Sequence, residues 1–221
     1  MRTKRPARVR RSLTTESPAR VHGLPELPAP LVGRRQELAA ARQLLLDTTR
    51  LITLIGSPGI GKTRLAVAIA DSLVGQFEHG VFFVDLSSIQ DPILVASTIC
   101  QAMGLRPSGG TPLLELLAAH LTDRRALLIL DNFDHLLDAA QDVATLLATC
   151  GGLRILATSR APLRLSLERE FPVPPLETPD LRDLPGPEHL SDWASVALFV
   201  QRAQTVNPDF GLTAHNARTV A

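Results

Sequence analysis

Leu51-Ile52-Thr53-Leu54-Ile55-Gly56-Ser57-Pro58-Gly59-Ile60-Gly61-Lys62-Thr63 is the stretch on which the fold turns. Its first five residues are the short, almost wholly apolar run of a strand buried on both faces. Glycines and a proline then break it, and a helical stretch follows from Lys62 to about Val74. Gly56 to Thr63 fits G-x-x-x-x-G-K-[ST], set between strand and helix as that pattern requires. The glycines let successive backbone N–H groups turn inward toward phosphate oxygens, and the helix N-terminus adds its positive dipole end. Lys62 would reach the β- and γ-phosphates and the Thr63 hydroxyl would ligate Mg²⁺. Gly56, Ser57, Pro58, Gly59, Ile60, Gly61, Lys62, Thr63 and the adjoining Arg64 are therefore the candidate nucleotide-binding residues. Only two of the 23 basic residues are lysines, Lys4 and Lys62. A sequence that avoids lysine has kept one at the phosphate position.

Outward from this loop the same grammar repeats. An amphipathic helix precedes it over residues 35–46, with Leu38, Ala41 and Leu45 three and four apart. After it come a strand at 81–85, a helix at 92–103, a Pro/Gly break at 107–110, a helix at 112–121, a strand at 126–130, a helix at 134–148 and a strand at 153–157. Strands alternating with helices predict a parallel sheet covered on both faces, an α/β three-layer sandwich of the P-loop NTPase type with five strands. The fifth is Phe171-Pro172-Val173-Pro174. Its prolines are two apart, so both missing N–H groups lie on one side, and it must be an edge strand.

Residues 1–30 hold Pro6, Pro18, Pro25, Pro28 and Pro30 without an apolar period, and read as a flexible basic arm and linker. Residues 31–180 read as the nucleotide-binding domain. Beyond residue 190, Val196, Ala197, Phe199, Val200 and Ala203 share a helical face, and Thr213 is placed to cap another helix. Residues 190–221 therefore read as the start of a small, incomplete helical domain.

The net charge of +1 hides an asymmetry, since residues 1–20 carry seven Arg/Lys against Glu16 alone while the remainder holds sixteen basic and twenty-one acidic residues. Cys100 and Cys150 are too few for a disulfide scaffold and have no neighbours at zinc-ligand spacing. With no apolar run near the roughly 20 residues of a membrane span and no signal-peptide h-region, the expectation is a cytoplasmic chain with no membrane partner.

Leu127-Leu128-Ile129-Leu130-Asp131 is an apolar strand ending in a carboxylate, the form of a Walker B element that brings Asp131 to the metal at the sheet's C-terminal edge. Thr158-Ser159-Arg160 sets a guanidinium at the same edge, where it either senses the γ-phosphate or is simply solvated. Asn132 follows Asp131 directly and cannot accept a proton from water at neutral pH. Asp134 is the remaining candidate base, with capping of the next helix as its other role. Lys62, Asp131, Asp134 and Arg160 are thus the candidate catalytic residues, and Thr63 with Asp131 the candidate metal site.

Leu31-Val32-Gly33-Arg34 with Glu37, the P-loop, Leu130-Asp131-Asn132-Phe133-Asp134-His135-Leu136-Leu137, Ala157-Thr158-Ser159-Arg160 and Phe171-Pro172-Val173-Pro174-Pro175-Leu176 carry a family likeness. Together they resemble the signal-transduction ATPases with numerous domains, the class that includes the NB-ARC ATPases. Within it they look most like the ATPase modules of large bacterial transcriptional regulators. The resemblance runs from about residue 28 to the end. It implies a sheet in which the Walker A strand neighbours the Thr158-Ser159-Arg160 strand, then the Walker B strand, then 81–85, with 170–174 at the opposite edge. It implies Val32 and Arg34 near the adenine, Arg160 as phosphate sensor, and a Gly-Leu-Pro-Leu element and winged-helix domain expected past residue 221.

The function this predicts is an ATP/ADP regulatory switch with slow Mg²⁺-dependent hydrolysis, part of a signal-transduction or transcription-regulator ATPase and working with downstream helical, winged-helix and sensor domains or another protein. A small-molecule P-loop kinase is the alternative, as is a non-hydrolysing module that touches DNA weakly or indirectly through the basic arm. A GTPase is excluded, because no lysine exists for the guanine-reading Asn-Lys-x-Asp.

Overall fold

The computed structural model describes residues 21–27, 29–107 and 110–221. In chain order the elements are β1 (Val21–His22), α1 (Arg35–Leu46), β2 (Leu51–Ile55), α2 (Lys62–Leu73), β3 (Val81–Asp85), α3 (Leu94–Ala102), α4 (Leu113–Leu121), β4 (Ala126–Asp131), α5 (Ala140–Thr149), β5 (Leu153–Ser159), β6 (Glu168–Pro172), α6 (Pro187–Leu190), α7 (Ala194–Val206) and α8 (Ala217–Val220). The strands form one sheet in the order β1-β3-β4-β5-β2-β6. Every pairing is parallel.

Central strands β2, β4 and β5 are apolar on both sides, and helices cover both. One face packs Leu128, Leu130 and Ile155 against α3, α4 and α5, with Ile99, Leu117, Leu121 and Leu146 fully inside. The other packs Ile52, Leu54, Ile129 and Leu156 against α1 and α2, through Ala41, Leu45, Leu65 and Ile69. Parallel strands joined by crossover helices leave all strand C-termini at one edge, which is where loops 56–61, 132–139 and 160–167 emerge.

The edge strand the prolines require is β6, which runs over Glu168–Pro172 rather than the expected 171–174, so Pro174 lies just beyond it. β6 pairs with β2 alone among the described residues, and the Val173 N–H between the two prolines donates to the Ile55 carbonyl (2.7 Å). Three expectations need correction. The sheet has six strands rather than five, because Val21–His22 pairs with Val81–Phe82 outside β3. Residues 21–30, read as linker, therefore start inside the fold. The His22 ring stacks on Phe82 at a centroid distance of 4.8 Å, and Leu24 and Leu27 pack on the α1/α2 face. Two residues are too few to show a period, and prolines 25, 28 and 30 masked the apolar residues between them. The basic arm of residues 1–20 lies outside the described residues, as do Ser108 and Gly109 of the Pro/Gly break. The expected helix at 134–148 is also shorter, with two 3₁₀ turns (Phe133–His135 and Leu137–Ala139) before α5 begins at Ala140.

Leu190, Val196 and Ala217 form a small cluster of their own, flanked by Trp193, Val200 and Leu212. Thr213 and Asn216 cap one another ahead of α8: the Asn216 N–H donates to Thr213 Oγ1 (3.3 Å) and the Thr213 N–H to Asn216 Oδ1 (2.8 Å). Of the apolar face predicted on α7 only Val196 is buried, while Phe199 is half exposed and meets Phe210 edge-on.

Candidate nucleotide site

Gly59 and Gly61 hold φ of 76° and 97°, the left-handed region where a side chain is strained, and they turn the loop into the N-terminus of α2. Gly56 has a different reason to be glycine. A Cβ there would lie 3.0 Å from the Val173 carbonyl and 3.1 Å from Ile60, so the chain just past β6 presses directly on the loop's first residue. Lys62 Nζ donates to the carbonyls of Gly56 (2.8 Å) and Ser57 (3.1 Å). Burial lowers its pKa; Asp134 and Asp131 pull the other way, and Arg160 adds to the lowering.

The Walker B carboxylate sits in a web of hydroxyls. Thr63 Oγ1 donates to Asp131 at 2.9 and 3.0 Å from its two oxygens, and Thr158 Oγ1 at 2.6 Å. Asn132 Nδ2 adds a bond at 3.2 Å, while its backbone N–H donates to Thr158 Oγ1 (2.9 Å). Asp131 is only 3% exposed. Burial pushes its carboxyl above the usual range, the Thr158 and Thr63 hydrogen bonds draw it back, and nearby Asp85 raises it again. Asp85 is in register with Asp131 on the next strand. The roles of Thr158 and Asp85 depend on contacts between neighbouring strands, Thr158 on β5 bonding to Asp131 on β4 and Asp85 on β3 lying in register with it, and such contacts are not legible in one chain segment.

Asp134 and Arg160 are brought together: Arg160 Nε donates to Asp134 Oδ2 at 2.6 Å, the guanidinium more than half exposed and the carboxylate largely buried. With Pro58, Gly59, Gly61, Lys62, Thr63, Arg64 and Asn132 they line one cavity of about 390 Å³. Three positive side chains (Lys62, Arg64 and Arg160) and three negative or acceptor-bearing ones (Asp134, Asn132 and Thr63) thus surround the position a terminal phosphate would take. Asp134 caps nothing here; its side chain serves the ion pair.

Val32 and Arg34 stand apart from that cavity. They line a second one, of about 740 Å³, with Leu31, Gly33, Pro174, Pro175 and the start of α7. Arg34 is 5% exposed; Nη1 donates to Glu37 Oε1 (2.7 Å) and Nη2 to the Pro174 carbonyl. It therefore braces the entry segment against the chain leaving β6. Gly33, at φ 65°, touches α7, since a Cβ there would fall 2.2 Å from Ala194 Cβ. Arg64 points to the entry segment too, donating to the Ala29 carbonyl (2.9 Å).

Thr63 and Asp131 present a hydroxyl and a carboxylate to each other beside the loop, the hard oxygen donors that Mg²⁺ takes together with phosphate oxygens and water. Among the described residues no group of three or more His, Cys, Asp and Glu side chains could hold a metal unaided. The donor set suits a cation that arrives with a phosphate. Among those residues no helix is long and apolar enough to cross a membrane.

A parallel sheet with a glycine loop between β2 and α2 and a carboxylate at the end of β4 defines a P-loop NTPase fold. The chain belongs to the AAA domain family, which matches residues 45–170. A Mycobacterium tuberculosis protein provisionally named an HTH-type transcriptional regulator is 40% identical over 177 residues, 80% of this chain but 18% of the relative. The chain thus spans about a fifth of that protein's length. Two solved structures share the fold: Cdc6p from Pyrobaculum aerophilum (TM-score 0.51, 16% identity, 85% of this chain and 52% of that one) and the replication initiator DnaA bound to AMPPCP and single-stranded DNA (0.50, 16%, 85% and 56%).

Proposed function

We propose that the chain is the ATP/ADP-binding switch module of a transcription-regulator ATPase of the numerous-domain class, with slow Mg²⁺-dependent hydrolysis. The observation that carries this is the meeting of Thr63 from the loop, Asp131 from β4 and Thr158 from β5 within hydrogen-bond distance at one sheet edge. The DnaA structure's nucleotide analogue and the relative's regulatory name support the reading. The backbone of 56–61 and Lys62 bind the phosphates. Thr63 and Asp131 would hold Mg²⁺, which would neutralise charge building on the β- and γ-phosphates. Arg160 answers to the γ-phosphate. Slowness follows from the shortage of a free base: Asn132 is no base, and Asp134 is paired with Arg160.

Purified protein with Mg²⁺ and ATP should turn over well below the roughly 1 to 100 s⁻¹ of kinases and keep ADP bound. Phosphate release faster than that, or transfer to a small acceptor, would replace the switch by the kinase reading.

A further inference from the structure

We propose that Asp134 sets this site's discrimination between tri- and diphosphate, by competing with the γ-phosphate for Arg160. The inference rests on the nucleotide-site reading above and adds a residue role to it. Arg160 and Asp134 line the same cavity as Lys62, Thr63 and the glycine loop. Their ion pair is short, 2.6 Å, and the acid is the fixed partner, since Asp134 is 14% exposed and Arg160 58%. The carboxylate sits in the 3₁₀ turn Phe133–His135, whose Phe133 is fully buried, whereas the guanidinium hangs from the end of β5. Only the arginine is free to change partner.

A diphosphate on the loop leaves that pair standing, because Lys62 and the loop N–H groups answer to the β-phosphate. A triphosphate brings a further dianionic oxygen set into a cavity whose most exposed cation is already claimed. Arg160 then has to leave Asp134, and the stranded carboxylate faces the incoming charge. Both costs fall on the triphosphate and neither on the diphosphate, so the pair biases the resting site toward ADP.

The test measures affinities for ADP and for the β,γ-imido analogue of ATP, both with Mg²⁺, by calorimetry on the full chain. Asp134→Asn keeps the shape and removes the charge. It should raise the analogue-to-ADP affinity ratio on the order of tenfold, the size expected for a unit charge a few ångströms from phosphate between bulk water and protein-like screening. Asp134→Glu, which retains the pair, should return the ratio to wild type. In an Arg160→Ala background the Asn substitution should lose most of its effect, as pairwise coupling requires. An unchanged or lowered ratio in Asp134→Asn, or a rise undiminished without Arg160, would overturn the proposal while leaving ADP binding, and so the nucleotide site, intact. Wild-type protein that binds neither nucleotide would bring down the site reading itself. Melting temperatures of the variants separate these outcomes from misfolding.

Discussion

Asn132 carries both a backbone and a chemical constraint. Its φ of 62° puts it in the left-handed region, which Asn tolerates and most side chains do not. Its side-chain amide donates to Asp131 and its backbone N–H to Thr158. A glutamate here would incur left-handed strain of about 1 to 2 kcal/mol and set a second charge beside a buried carboxylate. Asn132→Glu should therefore melt lower by at least that equivalent while turning over faster, since it supplies the base that Asn132 is not, whereas Asn132→Gly should stay close to wild type in stability. Thermal unfolding and a phosphate-release assay check both. Thr158, fully buried, makes a complementary case. Thr158→Val deprives Asp131 of its shortest hydrogen bond and Asn132 N–H of its acceptor, a loss of about 1 to 3 kcal/mol. It also lets burial push the Asp131 pKa further above its unfolded value. A raised carboxyl pKa favours the fold below the unfolded pKa, and that advantage is lost as pH rises through the folded pKa. The penalty of Thr158→Val should accordingly be smaller near pH 4 than near pH 7.5 in denaturant titrations.

Strands and helices with four or more apolar residues were legible, since periodicity and length specify them. β2, β3, β4 and β5 lie where their apolar runs place them, and β6 follows from two prolines. The glycine loop and Asp131 declared themselves by spacing. β1 did not, because two residues against β3 draw their stability from pairing and from Leu24 and Leu27, a tertiary gain invisible to local pattern. The Arg160–Asp134 pair was equally hidden, joining two loops 26 residues apart. Both members were named, but for separate roles. Arg34 is held by Glu37 and by the Pro174 carbonyl, the latter a bond no sequence spacing announces. Contact between elements also explains Gly33. Gly33→Ala combines positive-φ strain with a Cβ 2.2 Å from Ala194, so α7 must shift. A loss of about 2 kcal/mol or more is expected in chemical denaturation, with faster amide exchange in α7 than in β4.

On the scale of the whole molecule, the parallel sheet collects at one edge what the chain scatters over a hundred residues: Lys62 and Thr63 after β2, Asp131 and Asp134 after β4, Thr158 and Arg160 at β5. The entry segment and α7 meet on the neighbouring side, through Gly33 and Arg34. Nucleotide contact on the loop is thus one short step from the helical unit, by way of Gly56 against Val173 and Arg34 against Pro174. That layout suits a switch whose phosphate state is read by neighbouring domains. It all depends on phosphates occupying the loop, for which Lys62 is the one lysine in the described residues. Calorimetric titration of Mg²⁺-ADP into wild-type protein and Lys62→Ala, each shown folded by its melting curve, is the direct measurement. Saturable binding by the wild type, reduced at least 100-fold in the variant, is the predicted result; equal affinity in the two proteins, or no binding by the folded wild type, would contradict it.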